Sequence, residues 1–202
     1  MDRRDLLRLT TGVVALGAVG SARAAEGCPT DGTPMQFIPK KPADPKPTEN
    51  DIAKFPKCPF CGMDRKEFQH TRMLVHYSDD LADGVCSLHC AAISLAVNVD
   101  RGPKAIYVAD KAASADPLPL IPVDSAHFLV GSDMKGVMTK RSKVAFGSAE
   151  AAKAAQAKHG GEVQGFDKAL LAAYTDMAED VKMIRMMREE RRRHAQHEQK
   201  GH

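Results

Sequence analysis

Two short cysteine runs constrain this chain more than any other feature: Cys58-Pro59-Phe60-Cys61-Gly62-Met63 and Cys86-Ser87-Leu88-His89-Cys90. If their sulfurs serve one site, the chain between them must go out and come back. The intervening residues have the composition for it. Thr71 to Tyr77 (TRMLVHY) suits a strand, Asp79 to Gly84 (DDLADG) suits a turn, and Val85-Cys86 begins a second short strand. The pattern predicts a hairpin that returns the second run to the first.

Ser87 is placed to cap a helix running to about Val97, with Leu88, Ala91, Ala92, Leu95 and Ala96 along its apolar face. Asp100-Arg101-Gly102-Pro103 breaks it, and Ala105 to Val108 reads as a strand. The same order then returns: Ala126 to Gly131 and Lys143 to Phe146 as strands, a helix from Ser148 to Lys158, and a short strand at Glu162-Val163 after two glycines. Each ββαβ unit is too poor in apolar residues to be stable alone, so the two are expected to pack together. The fold class is therefore α+β, with a first unit over residues 56–112 and a second over 113–168. A final helix starts at Phe166 and runs to about Glu190; residues 169–202 are read as that helix and a basic tail.

The ends differ from the middle. Residues 1–25 have charged residues first, an apolar run from Leu9 to Val19, then small residues around Ala22-Arg23-Ala24, the layout of an export signal peptide. Arg3-Arg4 fits the twin-arginine type, which points to a periplasmic protein. Cys28, just past the cleavage region, offers a lipid-attachment point, although Glu26 departs from the small, apolar residues such sites use. Residues 26–55 are rich in proline and read as a linker with little core of its own.

The net charge of +3 is modest and its excess lies in the tail, which argues against a nucleic-acid binder. The tail reads as a solvated end, with contact to an anionic membrane or an acidic partner as the alternative.

The cysteines point to metal. Cys58 and Cys61 flank a proline and precede a glycine, so a tight knuckle can aim both thiolates at one ion. Cys86, His89 and Cys90 converge if the helix begins near Ser87, and its N-terminus favours the thiolate of Cys90. One reading is a structural zinc site of Cys58, Cys61, Cys86 and either His89 or Cys90. A second is a disulfide or thiol oxidoreductase, since an exported CxxC can be oxidised. Met63 favours a third, because a thioether is a poor zinc ligand and a good Cu(I) ligand. Met134 and Met138, which straddle Gly136, are candidate secondary ligands.

Several stretches recur in the order seen in the NosL family, the nitrous-oxide reductase accessory proteins. They are CPFCGM, Val85-Cys86-Ser87, AIYVAD from Ala105, HFLVG from His127, GVM from Gly136, VAF from Val144 and HGGEV from His159. The chain resembles that family over about residues 56–168. The resemblance implies a periplasmic Cu(I)-binding metallochaperone made of two ββαβ units, often a lipoprotein and not an enzyme. Its client would be a cuproenzyme, with nitrous-oxide reductase expected. Cys61 and Met63 match the family's CGM, Cys58 an earlier cysteine of many members, and Cys86 the cysteine of its second strand; His89 and Cys90 have no counterpart in that pattern. The two-unit fold is also similar to part of the organomercurial lyases, in which case Asp64 or Asp83 would serve as the acid beside Cys61 and Cys86.

Overall fold

Residues 35–200 are described by the computed structural model, and they form two antiparallel sheets and four α-helices, with three short 3-10 turns. In the first sheet, β1 (Met73–Tyr77) pairs on one side with β2 (Ala82–Val85) and on the other with β3 (Pro103–Ala109), which carries β4 (Leu120–Pro122) on its far edge. In the second, β5 (His127–Val130) lies between β6 (Lys143–Phe146) and β7 (Glu162–Gln164). Helix α1 (Asp51–Lys54) precedes the first sheet, α2 (Leu88–Val97) links β2 to β3, α3 (Ala149–His159) links β6 to β7, and α4 is Phe166–Lys200. Each unit thus has the order ββαβ with its first strand central. This is the α+β architecture expected from the sequence, with the long C-terminal helix appended. The residues read as an export signal (1–25) and Cys28 lie outside the described residues.

Strand alternation puts two faces of each sheet to use. Met73 and Val75 of β1 enter one core with Leu88 and Ala91 of α2, Phe128 and Val130 of β5, and Ala169 and Ala173 of α4. Leu129, Val144 and Phe146 face α3 and pack on Ala152. Leu74 turns the other way, onto Phe55 and Ala82. Full burial of each such Val, Leu or Phe contributes roughly 1.5–3 kcal/mol, and the first core draws on both units, so neither is independent of the other.

Helix α4 spans both units. Its Tyr174 hydroxyl donates to the Ala92 carbonyl at 3.0 Å, and Asp176 accepts from Arg141 at 2.8 Å and Lys143 at 2.7 Å. Helix α2 lies between its own sheet and α4, which explains why it is apolar nearly all round rather than along one stripe.

Four local expectations are corrected. The second strand starts at Ala82, inside the stretch read as a turn, and ends at Val85, so Cys86 follows the strand instead of belonging to it. Asp83 and Gly84 are accepted there because Ser94 donates to the Asp83 carboxylate at 2.7 Å and because Gly84 leaves room for Phe55 and Arg65. Strand β4 is unanticipated: it is three residues long and ends in a proline, which an edge strand tolerates. The stretch read as linker ends in α1, whose Asp51 is buried. Helix α4 continues beyond Glu190 to Lys200.

Candidate metal centre

The first cysteine run folds as a closed knuckle. The Cys58 N–H donates to the Met63 carbonyl at 2.9 Å, and the Gly62 N–H donates to the Cys58 carbonyl at 2.9 Å. Gly62 takes φ +79°, a left-handed conformation that a side chain resists, so the glycine closes the loop.

Arg65, two residues beyond Met63, fastens the knuckle to the sheet. Its guanidinium is fully buried and donates to the carbonyls of Phe55 (2.7 Å), Met73 (3.1 Å) and Val85 (3.2 Å), and to the Asp51 carboxylate (2.8 Å). Arg72 reaches the same carboxylate from β1's end at 3.0 and 3.1 Å. Two guanidiniums share one carboxylate, so the cluster keeps a net positive charge, and its remaining N–H groups are met by backbone oxygens. That charge attracts a thiolate at Cys58.

The second run arrives by the β1–β2 hairpin. Cys86 follows β2, held by Thr71, whose hydroxyl donates to the Cys86 carbonyl at 2.8 Å. Ser87 occupies the N-cap position in extended conformation, though its side chain makes no capping bond, and Cys90 follows in the first turn of α2. Cys86 and Cys90 sulfurs lie 3.7 Å apart, and Cys61 and Cys86 sulfurs 3.4 Å apart. The sulfurs of Cys58, Cys61, Cys86 and Cys90 all fall within 4.8 Å of one another, and none is in a disulfide. Cys58, Cys86 and Cys90 are buried; Cys61 is half-buried.

Protons are unevenly held in this cluster. Cys58 is drawn far below the ordinary thiol range, first by a hydrogen bond from Cys61 and then by those from Cys86 and Cys90. Cys61 is opposed by its bond to Cys58, but Cys86 and Cys90 carry it lower as well. The same bonds to Cys58 and Cys61, with burial, hold Cys86 and Cys90 protonated. The helix N-terminus does not make Cys90 the thiolate, contrary to the expectation from the sequence. Negative charge gathers on the knuckle, beside Arg65.

His89 does not join the sulfurs. Successive helix positions point about 100° apart, so the turn that aims Cys90 at the cluster aims His89 at α4. There its Nδ1 meets the Asp180 carboxylate at 3.2 Å, while burial holds the imidazole neutral against that carboxylate's pull. Asp180 also accepts the Lys140 N–H at 2.9 Å, so it ties α4 to both units.

The methionines divide. Met63 and Met138 pack beside the main core and, with Cys61, line a cavity of ≈ 700 Å³. Met134 packs instead against Leu129, Val144 and Phe146 of the second unit. Asp64 hydrogen-bonds the Lys66 and Glu67 N–H groups, and Asp83 is bound by Ser94, so both acids are occupied structurally. Arg65 and Asp51 were missed from the sequence. Arg65 adjoins the cysteine motif and could have been suspected; nothing local marks Asp51.

A sequence profile of the NosL family matches residues 49–171, more than half of the chain. The chain belongs to the NosL family. Among solved structures it is similar to the crystal structure of the copper chaperone NosL from Shewanella denitrificans, with 26% sequence identity, 55% of this chain and 87% of that chain covered, and a TM-score of 0.48. No curated protein matches it. The NosL match takes in all four clustered cysteines, Met63, Met138 and the Asp51–Arg65–Arg72 cluster, and it ends inside α4. Most of α4, including Met183 and Met187, extends past the NosL span.

Proposed function

We propose that this protein binds Cu(I) at the Cys58, Cys61, Cys86 and Cys90 sulfurs and hands it to a client cuproenzyme outside the cytoplasm, with nitrous-oxide reductase as the client. Membership of NosL, the family whose resemblance implies a Cu(I)-binding metallochaperone, supports the copper reading. The export-type residues 1–25 support the periplasmic one.

The observation that carries the proposal is the asymmetry of the cluster. Three of the cysteines are buried, and the fourth, Cys61, is half-buried and lines a cavity with Met63 and Met138. Thiolates and thioethers select soft monovalent copper, and a thioether exit gives the ion a weaker ligand to leave by. A closed four-thiolate cage would retain it.

The four-sulfur set also favours a second reading, a structural zinc module that presents α4 to a partner. An anaerobic competition titration of the reduced protein against chromophoric chelators separates them. Cu(I) bound more tightly than a moderate chelator, and displacing zinc, supports the chaperone. Stoichiometric zinc that copper cannot displace overturns it.

A further inference from the structure

Four of the chain's ten methionines, Met63, Met138, Met183 and Met187, line a cavity whose wall also holds Cys61. Of the two from α4, Met183 is half-buried, and packing does not account for Met187. Met187 is 53% exposed and so gains little from burial. Met183 and Met187 stand one helical turn apart and share a face. Arg188 holds that part of the helix over the knuckle, donating to the Cys61 carbonyl at 3.3 Å. Across the cavity, Met138 sits at φ +60° in the loop between β5 and β6: Val137 is buried, and Met138 lines the cavity. Methionines from the β5–β6 loop and from α4, far apart in sequence, thus line one cavity with Cys61, the most open residue of the cluster.

The charges around the cavity select among ions. Its lining carries Lys57, Lys135, Arg188 and Arg191 against Asp64 and Glu67. A net positive rim repels a dication twice as strongly as a monocation, and neutral thioethers give a hard dication little in return.

We propose that Met183 and Met187, with Met138, form a second Cu(I) site, a thioether landing at the mouth of the thiolate cluster that passes the ion to and from Cys61. This rests on the copper reading above. In the inward step the copper–thioether bonds break as a bond to the Cys61 sulfur forms. Copper stays monovalent, and a proton leaves to solvent from any thiol that enters the coordination sphere. Anionic thiolates bind Cu(I) more strongly than thioethers, so the inward step is downhill and the outward step needs a stronger acceptor.

The test is ¹³C-methyl-methionine NMR of the full chain titrated anaerobically with Cu(I), with resonances assigned by Met183→Leu and Met187→Leu and free thiols counted in parallel. The Met183, Met187 and Met138 methyls should shift together with Cu(I) and stay still with zinc. Met183→Leu/Met187→Leu should keep the thiolate-bound copper but release it to a chelator at least about tenfold more slowly. If the thiols take up Cu(I) while the Met183 and Met187 methyls never move, the landing site is wrong and the chaperone reading survives. If those methyls move while the thiols take up no copper, the site stands and the proposed function fails.

Discussion

The sulfurs of Cys61 and Cys86 stand 3.4 Å apart, one from the knuckle and one from the hairpin's return, with no covalent bond between them. This contact joins the two halves of the site. Cys86→Ser should weaken Cu(I) binding by more than the roughly 10–100-fold that loss of a supporting residue brings. His89→Asn, whose side chain faces α4, should leave affinity within a few-fold while loosening α4. Competition titration measures the first effect and amide exchange in α4 the second.

Loading the site should release protons. Cys86 and Cys90 hold theirs in the metal-free protein, whereas metal binds thiolates, so both protons must leave if all four sulfurs ligate. Apparent Cu(I) affinity should therefore rise with pH. Titration in weak buffer with a pH indicator counts the protons directly, and Cys90→Ser should remove one of them.

Arg65, two residues beyond the knuckle, ties it to Asp51, Phe55, Met73 and Val85. Arg65→Met leaves Asp51 with only Arg72 and strips bonds from the Phe55, Met73 and Val85 carbonyls. Breaking a buried ion pair from one side costs about 3–5 kcal/mol. Denaturant unfolding should register that loss, and metal affinity should fall with it.

Asp83 makes stability depend on pH in an uncommon direction. Burial raises its carboxyl from 3.8 to about 6, partly opposed by the Ser94 hydrogen bond and reinforced by the charge on Cys58. The folded state thus holds the proton more tightly than the unfolded state. The contribution is fully present below pH ~4 and is lost as pH rises through about 6, a change on the order of 3 kcal/mol. Unfolding of the metal-free protein across that range should show it, and Asp83→Asn should flatten the profile.

Gly84→Ala tests the fit of α1 on the first sheet. An added Cβ would collide with the Phe55 Cβ and lie 2.7 Å from its Cγ, with the Arg65 Cζ at 3.0 Å. Overpacking of this kind costs about 1–3 kcal/mol and should appear as a lowered Tm, with Gly102→Ala, whose surroundings are open, as the unaffected control.

The sequence by itself determined the ββαβ order, because strand composition, the Ser87 and Ser148 positions and the glycine breaks are all local signals. It also marked Cys58, Cys61, Met63, Cys86, His89 and Cys90 as the residues to watch, since the spacing within each run is set by a knuckle and by one turn of helix. Tertiary structure decided what local pattern could not. Whether His89 or Cys90 turns inward depends on where α2 rests against α4, and a helix can present only one of two adjacent residues to the same point. Strand β2 tolerates Asp83 and Gly84 only because Ser94, Phe55 and Arg65 come from elsewhere to meet them. Met138 and Met187 share a cavity because α4 folds back over the knuckle, bringing residues distant in the chain to the mouth of one site. Such meetings are set by long-range packing, and periodicity within a segment carries no record of them.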